Sequence, residues 1–152
     1  MKPLPHEYDV SITATSGGPA ELRSHGLTTL MSAPPAEFGG PGNLWSPETL
    51  LVAAVGDCFV QTFKAIASLS KLQWSKIFCE AKGMLDRAED GVRFTKVLLT
   101  VRLDLASGAQ PDAARRVLEK AERGCLIGNS LKCRPELEYD IAFEEALAPA
   151  GH

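Results

Sequence analysis

Residues 46–60, SPETLLVAAVGDCFV, carry the strongest helix signal in the chain. Ser46 is a good N-cap, Pro47 suits the first helical position, and Glu48 in the first turn faces the positive end of the helix dipole. Apolar residues from 50 to 67 cover nearly the whole circumference, so we expect a helix that is buried on most sides. A chain of this size struggles to wrap one helix completely. That favours a dimer with two such helices in the combined core, and a central helix in a monomer is the alternative.

Two thiols stand out against this helix pattern. Cys58 lies inside the apolar stretch, and Cys125 follows the second helix candidate, where we expect it to be accessible. Such a pair could carry two-electron redox chemistry in a small protein. Cys79 and Cys133 are expected in strands, as apolar fillers. No Cys-x-x-Cys pair occurs and the three histidines lie far from any cysteine, so we expect no metal site.

Length and composition exclude several classes of protein. The chain has 152 residues, 45% of them hydrophobic and 23% charged, with a net charge of -3, which predicts one globular domain over residues 1–152. Its Lys and Arg residues are scattered, so we expect no nucleic-acid partner. We find no signal-peptide pattern and no apolar run of the ~18 residues that a membrane span needs, which predicts a cytoplasmic protein without a membrane partner.

Strand and helix signals alternate along the chain. Strands are predicted over residues 8–14, 21–31, 73–85, 92–105 and 137–143, and a second helix over residues 111–123. Gly26 weakens the second of these strands, and residues 32–43 form a Pro/Gly-rich surface loop. Asp90 and Gly91 suit a hairpin turn, and the last strand precedes an Ala/Pro/Gly tail. The order of these elements is typical of an α+β fold.

The same helix carries a resemblance to a known family. Residues 46–59, together with the preceding FGGPG loop at residues 38–42, resemble the Asn/Ser-Pro-Glu-x-Leu-Leu…Cys-Phe signature of the OsmC/Ohr family. Its members are osmotically inducible proteins and organic hydroperoxide resistance proteins. Residues 121–131, AERGCLIGNSL, are similar to the second cysteine motif of that family. The resemblance implies an intertwined homodimer with curved antiparallel sheets around two long central helices.

The resemblance also implies an activity. It is the thiol-dependent reduction of organic hydroperoxides, alkyl or fatty-acid, to alcohols, without metal or bound cofactor. Cys58 would be the peroxidatic thiol that becomes a sulfenic acid, and Cys125 the resolving thiol that forms a Cys58–Cys125 disulfide. An external dithiol, suggested by the family to be a lipoyl-bearing protein, would reduce that disulfide. The helix-start glutamate of the family maps on Glu48.

One position departs from the family pattern. An ordinary cysteine has a pKa of about 8.5, so a reactive thiol needs a cation or donor beside it, and an Arg held by a carboxylate is suited to that role. Hydroperoxide resistance proteins carry this Arg just after an early Gly-Gly turn, where the present chain has Pro19. Arg23 is the nearest substitute, and with Glu48 it forms the expected activating pair. The alternative is a non-catalytic or stress-responsive ligand-binding protein.

Geometry limits the role of Glu48. It precedes Cys58 by ten residues, which along a straight helix is a rise of about 15 Å. Contact would require a helix break near Gly56, a loop that swings back, or a carboxylate from a partner chain. Phe38 and Trp45 could line an apolar pocket for an alkyl chain, or pack against a sheet.

Overall fold

A computed structural model describes residues 1–144 of the chain. The chain forms two compact units, of which the first is Met1–Leu51 and the second begins at Val52. The single domain over residues 1–152 stays a prediction, and the Ala/Pro/Gly tail lies outside the described residues. The α+β fold class is confirmed, because the elements comprise both helices and antiparallel strands.

The first unit contains a small antiparallel sheet. Its strands, in spatial order, are β1 Ser11–Thr13, β2 Ala20–Arg23 and β3 Leu30–Ser32. The prediction of one strand over residues 21–31 is wrong, because the chain turns back between β2 and β3. In that turn the amide of Leu27 donates to the carbonyl of Ser24 over 3.1 Å, and Gly26 has a φ of 74°. Glycine is favoured there because other residues rarely adopt a positive φ.

The Pro/Gly-rich loop after β3 is held by backbone hydrogen bonds. It contains a 3₁₀ turn, Ala36–Phe38, and it returns beside β3, where the amide of Ala33 donates to the carbonyl of Trp45 over 2.9 Å. A Cβ placed on Gly40 would lie 1.6 Å from the carbonyl oxygen of Pro34. Glycine at this position therefore permits the close approach of two backbone segments.

Helix α1 spans Pro47–Leu69 and begins as predicted. The amide of Thr49 donates to Oγ of Ser46 over 3.1 Å, and the amide of Ser46 donates to Oγ1 of Thr49 over 2.9 Å. These reciprocal bonds satisfy backbone donors that a helix start leaves without a partner. Of the three routes considered for a contact between Glu48 and Cys58, a helix break near Gly56 does not occur, since Gly56 lies inside the continuous helix. A Cβ there would lie 3.1 Å from Cβ of Ala81, so glycine lets the helix approach the neighbouring strand closely.

The second unit is a three-stranded sheet with helices packed on one face. Its strands, in spatial order, are β4 Trp74–Ala88, β5 Gly91–Leu105 and β6 Glu136–Phe143, and its further helices are α2 Pro111–Gly124 and α3 Leu126–Asn129. The predicted hairpin turn at Asp90 and Gly91 is confirmed, and β4 pairs with β5 antiparallel. The pairing of β5 with β6 is parallel and departs from the expected antiparallel sheets. Helix α2 lies between these two strands in sequence and supplies the crossover that parallel neighbours need.

The core of this unit lies between α1, α2 and the central strand β5. Alternate β5 residues from Val97 to Leu105 point into it, together with Phe59 and Phe63 of α1 and Leu118 of α2. The rings of Phe63 and Trp74 make an edge-to-face contact, with their centroids 5.2 Å apart.

Only one face of α1 is buried within the single chain. Polar residues such as Asp57, Gln61 and Lys64 are exposed on the other side. The expectation of burial on most sides is therefore not met by one chain, and the dimer stays a prediction. By length and composition α1 could also cross a membrane, so the expectation that no segment reaches that length is wrong. The core helix of a globular protein passes the same test.

Candidate functional site

The two thiols of the sequence motifs meet in the second unit. Cys58 lies in the middle of α1, and Cys125 lies at the junction of α2 and α3. Val55, Cys58 and Thr62 share one face of α1, because residues three and four apart are neighbours on a helix surface. Sγ of Cys125 lies 3.9 Å from the carbonyl oxygen of Val55, and the Cys58 thiol is close enough to raise the pKa of Cys125.

The end of α2 brings Cys125 to this face. A Cβ placed on Gly124, the last residue of α2, would lie 3.5 Å from Cγ2 of Thr62. The absence of a side chain on Gly124 therefore allows the α2 terminus to pack close to α1, one turn beyond Cys58. The hydroxyl of Thr62 in turn donates to the carbonyl of Cys58 over 2.7 Å.

Cys125 is buried, and the expectation that it is accessible is wrong. Only 2% of its surface is exposed, because α1 and the α2–α3 junction enclose it. Burial raises the pKa of the Cys125 thiol to about 11, and the neighbouring Cys58 thiol adds to that rise. The amide of Gly128 opposes it by donating to Sγ of Cys125 over 3.4 Å. Cys125 therefore keeps its proton at neutral pH, and the amide of Gly128 would stabilise its thiolate if the proton were lost.

Cys58 is the more accessible thiol of the pair. It is partly exposed, whereas Cys125 is almost fully enclosed. All four cysteines of the chain are free thiols. A molecule arriving from solvent therefore reaches the sulfur of Cys58 before that of Cys125, and a protonated Cys125 beside it can donate a hydrogen bond to a Cys58 thiolate.

The expected activating pair is not formed. In the first unit, the guanidinium of Arg23 donates to a carboxylate oxygen of Glu21 over 2.8 Å, and the Arg23 side chain is 61% exposed. Oε2 of Glu48 is buried, and within residues 1–144 it has no hydrogen-bond partner. Because α1 is continuous, Glu48 and Cys58 are also separated by about 15 Å along the helix axis. The sequence argument from spacing therefore holds, and the two residues are not neighbours on the helix.

Glu48 instead faces a cleft of about 790 Å³ within the first unit. The Gly17–Gly18–Pro19 turn forms one wall, and the Pro/Gly-rich loop with Phe38 forms another. Of the two aromatic residues considered for an apolar pocket, Phe38 lines this cleft. Trp45 lines a smaller separate pocket beside Met31.

The other two cysteines, Cys79 and Cys133, belong to different parts of the second unit. Cys79 lies in β4 as predicted, and burial raises its pKa to about 11. Cys133 was expected in a strand and instead lies in a bend before β6, so that prediction is wrong. Within residues 1–144 no group of three or more His, Cys, Asp or Glu residues is arranged to hold a metal ion.

Sequence reasoning did not single out Gly128. The amide of Gly128 donates a hydrogen bond to the Cys125 sulfur because Cys125 is the N-cap of α3. The side chain at an N-cap accepts from the amides of the first helical turn. The sequence does contain a cysteine followed three residues later by glycine, which is the spacing of an N-cap bond. Residues 125–129 carry no pattern that predicts a helix of four residues.

Comparisons with known proteins agree with this architecture. A family model described as OsmC-like protein matches residues 40–140. The uncharacterized protein YmaD of Bacillus subtilis is 25% identical over 126 residues, which cover 81% of this chain and 83% of YmaD.

Two solved structures illustrate the likeness of the fold. An OsmC-like protein of unknown function from Vibrio cholerae superposes with a TM-score of 0.83 at 18% identity, covering 90% of this chain and 100% of that one. An organic hydroperoxide resistance protein from Elizabethkingia anophelis superposes with a TM-score of 0.71 at 22% identity, covering 93% and 100%. At these identities the likeness concerns the fold.

Proposed function

The chain belongs to the OsmC-like protein family, and from this premise we propose that it is a thiol-dependent peroxidase that reduces organic hydroperoxides to alcohols. The observation that carries the proposal is the proximity of Cys58 and Cys125, two thiols 67 positions apart in the sequence. Some structural relatives are named organic hydroperoxide resistance proteins, which supports this substrate class.

The oxidative half of the reaction would begin at Cys58. Its thiolate attacks the distal peroxide oxygen, the O–O bond breaks, and the departing alkoxide takes a proton to become the alcohol. Cys58 is left as a sulfenic acid, oxidised by two electrons. The greater exposure of Cys58 supports this assignment of the nucleophile.

Cys125 would complete the oxidation. Its sulfur attacks the sulfenic acid, water leaves, and a Cys58–Cys125 disulfide forms. The raised pKa of Cys125 supports this order of events, because a protonated thiol competes poorly for peroxide and can deliver its proton to the departing hydroxide.

An external dithiol would regenerate the enzyme, and the family suggests a lipoyl-bearing protein as its carrier. One thiolate of the donor attacks a sulfur of the disulfide and forms a mixed disulfide with the protein. The second donor thiol then attacks the donor sulfur of that mixed disulfide, so that the protein thiol is released and the donor leaves as a disulfide. No metal or bound cofactor takes part in this scheme.

We extend the proposal to a cytoplasmic homodimer. On the edge strand β4, Phe78 and Met84 are more than half exposed, and Leu69 at the end of α1 is exposed as well. Apolar exposure of this kind at a sheet edge favours association with a further chain. Light scattering coupled to size-exclusion chromatography tests this part independently of the chemistry.

The activity is tested by peroxide consumption with cumene hydroperoxide and dihydrolipoamide. Wild-type protein should consume peroxide over many turnovers and accumulate a Cys58–Cys125 disulfide when the dithiol is withheld. Cys58→Ser should lose the activity, whereas the matched control Cys79→Ser should keep it. If Cys58→Ser retained wild-type turnover, the proposal would be wrong.

A non-catalytic ligand-binding protein is the second candidate. The pairing of Arg23 with Glu21 favours it, because the expected activating cation is engaged elsewhere. Alkylation at near-neutral pH separates the two functions: a peroxidase labels quickly at Cys58 and loses that label after treatment with organic peroxide. A binding protein shows neither the fast labelling nor the disulfide.

A further inference from the structure

Helix α3 is a single turn that depends on its surroundings. It spans only Leu126–Asn129, and helices this short do not form in isolation because the first turn is costly to nucleate. Leu126 is 74% exposed and Ile127 is 38% exposed, whereas Gly128 is the one buried residue of this helix. The packing around Gly128 therefore decides how the turn is held.

Gly128 lies between the ring of Pro135 and the sulfur of Cys125. A Cβ placed on Gly128 would lie 3.1 Å from Cγ and 3.3 Å from Cδ of Pro135, and 3.4 Å from Sγ of Cys125. The amide of Gly128 donates to that same sulfur over 3.4 Å. Pro135 thus packs on the residue whose amide is directed at the Cys125 thiol.

The position of Pro135 is itself fixed by the second unit. Pro135 is buried, and it directly precedes β6, whose first residue Glu136 pairs with Leu98 of β5. On the other side of Pro135, Nε of Arg134 lies 3.6 Å from a carboxylate oxygen of Glu122 in α2. The proline ring also restricts its own φ to a narrow range, so the surface that it offers to α3 has little conformational freedom.

We infer that Pro135 is a positioning residue for the resolving thiol: its ring holds Gly128 in place, so that the amide of Gly128 stays directed at the sulfur of Cys125. The inference rests on the proposed peroxidase function and adds to it a residue that lies outside both cysteine motifs. In this role Pro135 acts through Gly128 and not on the peroxide.

The orientation of this amide matters in both steps in which Cys125 reacts. During disulfide formation the Cys125 thiol loses its proton, its sulfur bonds to the sulfur of Cys58, and the departing hydroxide takes a proton and leaves as water. During reduction through attack on Cys58, the Cys125 sulfur leaves with the electron pair of the S–S bond. The sulfur passes through a thiolate in each step, and a directed amide stabilises that thiolate.

Amide hydrogen exchange, measured by NMR on the reduced full-length protein, tests the packing without any peroxide. Pro135→Ala removes two buried ring carbons, so the Gly128 amide should exchange about tenfold faster as the α3 turn opens more often. The Leu118 amide, in the core of α2, reports global opening and should change much less. Pro111→Ala is the matched control, because it removes a proline ring from the start of α2 and should leave the Gly128 amide as in the wild type.

Single-turnover kinetics with one equivalent of cumene hydroperoxide tests the consequence for the chemistry. Pro135→Ala should form the Cys58 sulfenic acid at the wild-type rate, whereas the disulfide formation that follows should slow by at least about threefold. A thiol whose pKa rises by one attacks more slowly by about this factor, since the loss of thiolate outweighs its greater reactivity. Pro135→Val returns branched carbons to the space of the ring and should restore most of the rate. Rapid quenching with dimedone, followed by mass spectrometry, separates the two steps.

Three results would overturn the inference: unchanged Gly128 exchange in Pro135→Ala, equal acceleration at Gly128 and Leu118, or disulfide formation as fast as in the wild type. If Pro135→Ala does not fold, Pro135→Val provides the test, because slow disulfide formation in that folded variant would contradict positioning by the volume of the ring. Absence of a Cys58 sulfenic acid in the wild type would instead refute the peroxidase proposal. The exchange measurement would still show whether Pro135 holds Gly128 in place.

Discussion

The amide of Gly128 donates a hydrogen bond to Sγ of Cys125 over 3.4 Å. This bond stabilises negative charge on a sulfur that burial otherwise keeps protonated. Burial is the larger of the two effects, so Cys125 leaves a Cys58–Cys125 disulfide as a thiolate less easily than an ordinary thiol would, despite this donor. The sulfur that an incoming thiol reaches most easily is that of the more exposed Cys58. Access therefore favours attack on Cys58, whereas the raised pKa of Cys125 slows the release of that sulfur.

The first prediction concerns that direction. When the disulfide is made with diamide and treated with glutathione, the incoming thiol should attach mainly to Cys58 and release Cys125, because Cys58 is partly exposed and Cys125 is buried. Peptide mapping by mass spectrometry measures the ratio of the two adducts. Labelling mainly at Cys125 would contradict the prediction, and failure of diamide to form the disulfide would contradict the proposed pairing itself.

Replacement of the resolving thiol, Cys125, should leave a protein that completes a single turnover but does not turn over repeatedly. Cys125→Ser should still reduce about one equivalent of hydroperoxide but should stop there, because its Cys58 sulfenic acid has no partner thiol. Dimedone labelling should then increase at Cys58, and excess peroxide should convert that residue to the sulfinic acid. Cys133→Ser is the control and should turn over normally. Sustained wild-type turnover by Cys125→Ser would show that resolution does not need this thiol.

Gly83 on β4 is packed too closely for a side chain, so its replacement should destabilise the fold. A Cβ on Gly83 would lie 2.6 Å from Cγ2 of Val52 and 2.7 Å from Cε1 of Phe94. Gly83→Ala should therefore lower the free energy of unfolding by about 1–3 kcal/mol through overpacking. Gly17→Ala is the matched control, because a Cβ there meets nothing within 4 Å. Urea midpoints measure both changes, and an equal effect of the two substitutions would refute the close packing at Gly83.

Stability should also decline at alkaline pH through Cys79. Its pKa is raised to about 11 by burial, whereas in the unfolded chain a thiol loses its proton near pH 8.5. The folded state thus holds this proton more tightly, so the contribution is complete below about pH 8.5 and is lost as the pH rises towards about 11. Cys79→Ala lacks this contribution.

Denaturant midpoints at about pH 8 and about pH 10.5 measure this effect. The stability difference between wild type and Cys79→Ala should shrink at the higher pH. Other groups titrate in both proteins alike and cancel in the comparison. A difference that stays constant with pH would mean that the Cys79 thiol is not held protonated by the fold.

Local patterns in the sequence accounted for most of the elements. The N-cap at Ser46, the hairpin at Asp90 and Gly91, and the helix opened by Pro111 were all predictable, because each depends on interactions within a few residues. The split of residues 21–31 into two strands was not, since Gly26 signals either a bulge or a full turn and the choice depends on pairing with β3. The parallel β5–β6 pairing was likewise decided by long-range contacts.

By itself, the sequence determined the α+β class, the two cysteine motifs and the distance that a continuous helix imposes between Glu48 and Cys58. Only the tertiary structure decided that Cys58 and Cys125 meet, that Cys125 is buried, and that Arg23 turns to Glu21 and leaves Glu48 in an apolar cleft. The physical reason is that helix capping and turn formation are encoded by neighbouring residues. Burial, pKa and pairing depend instead on which distant segments pack together.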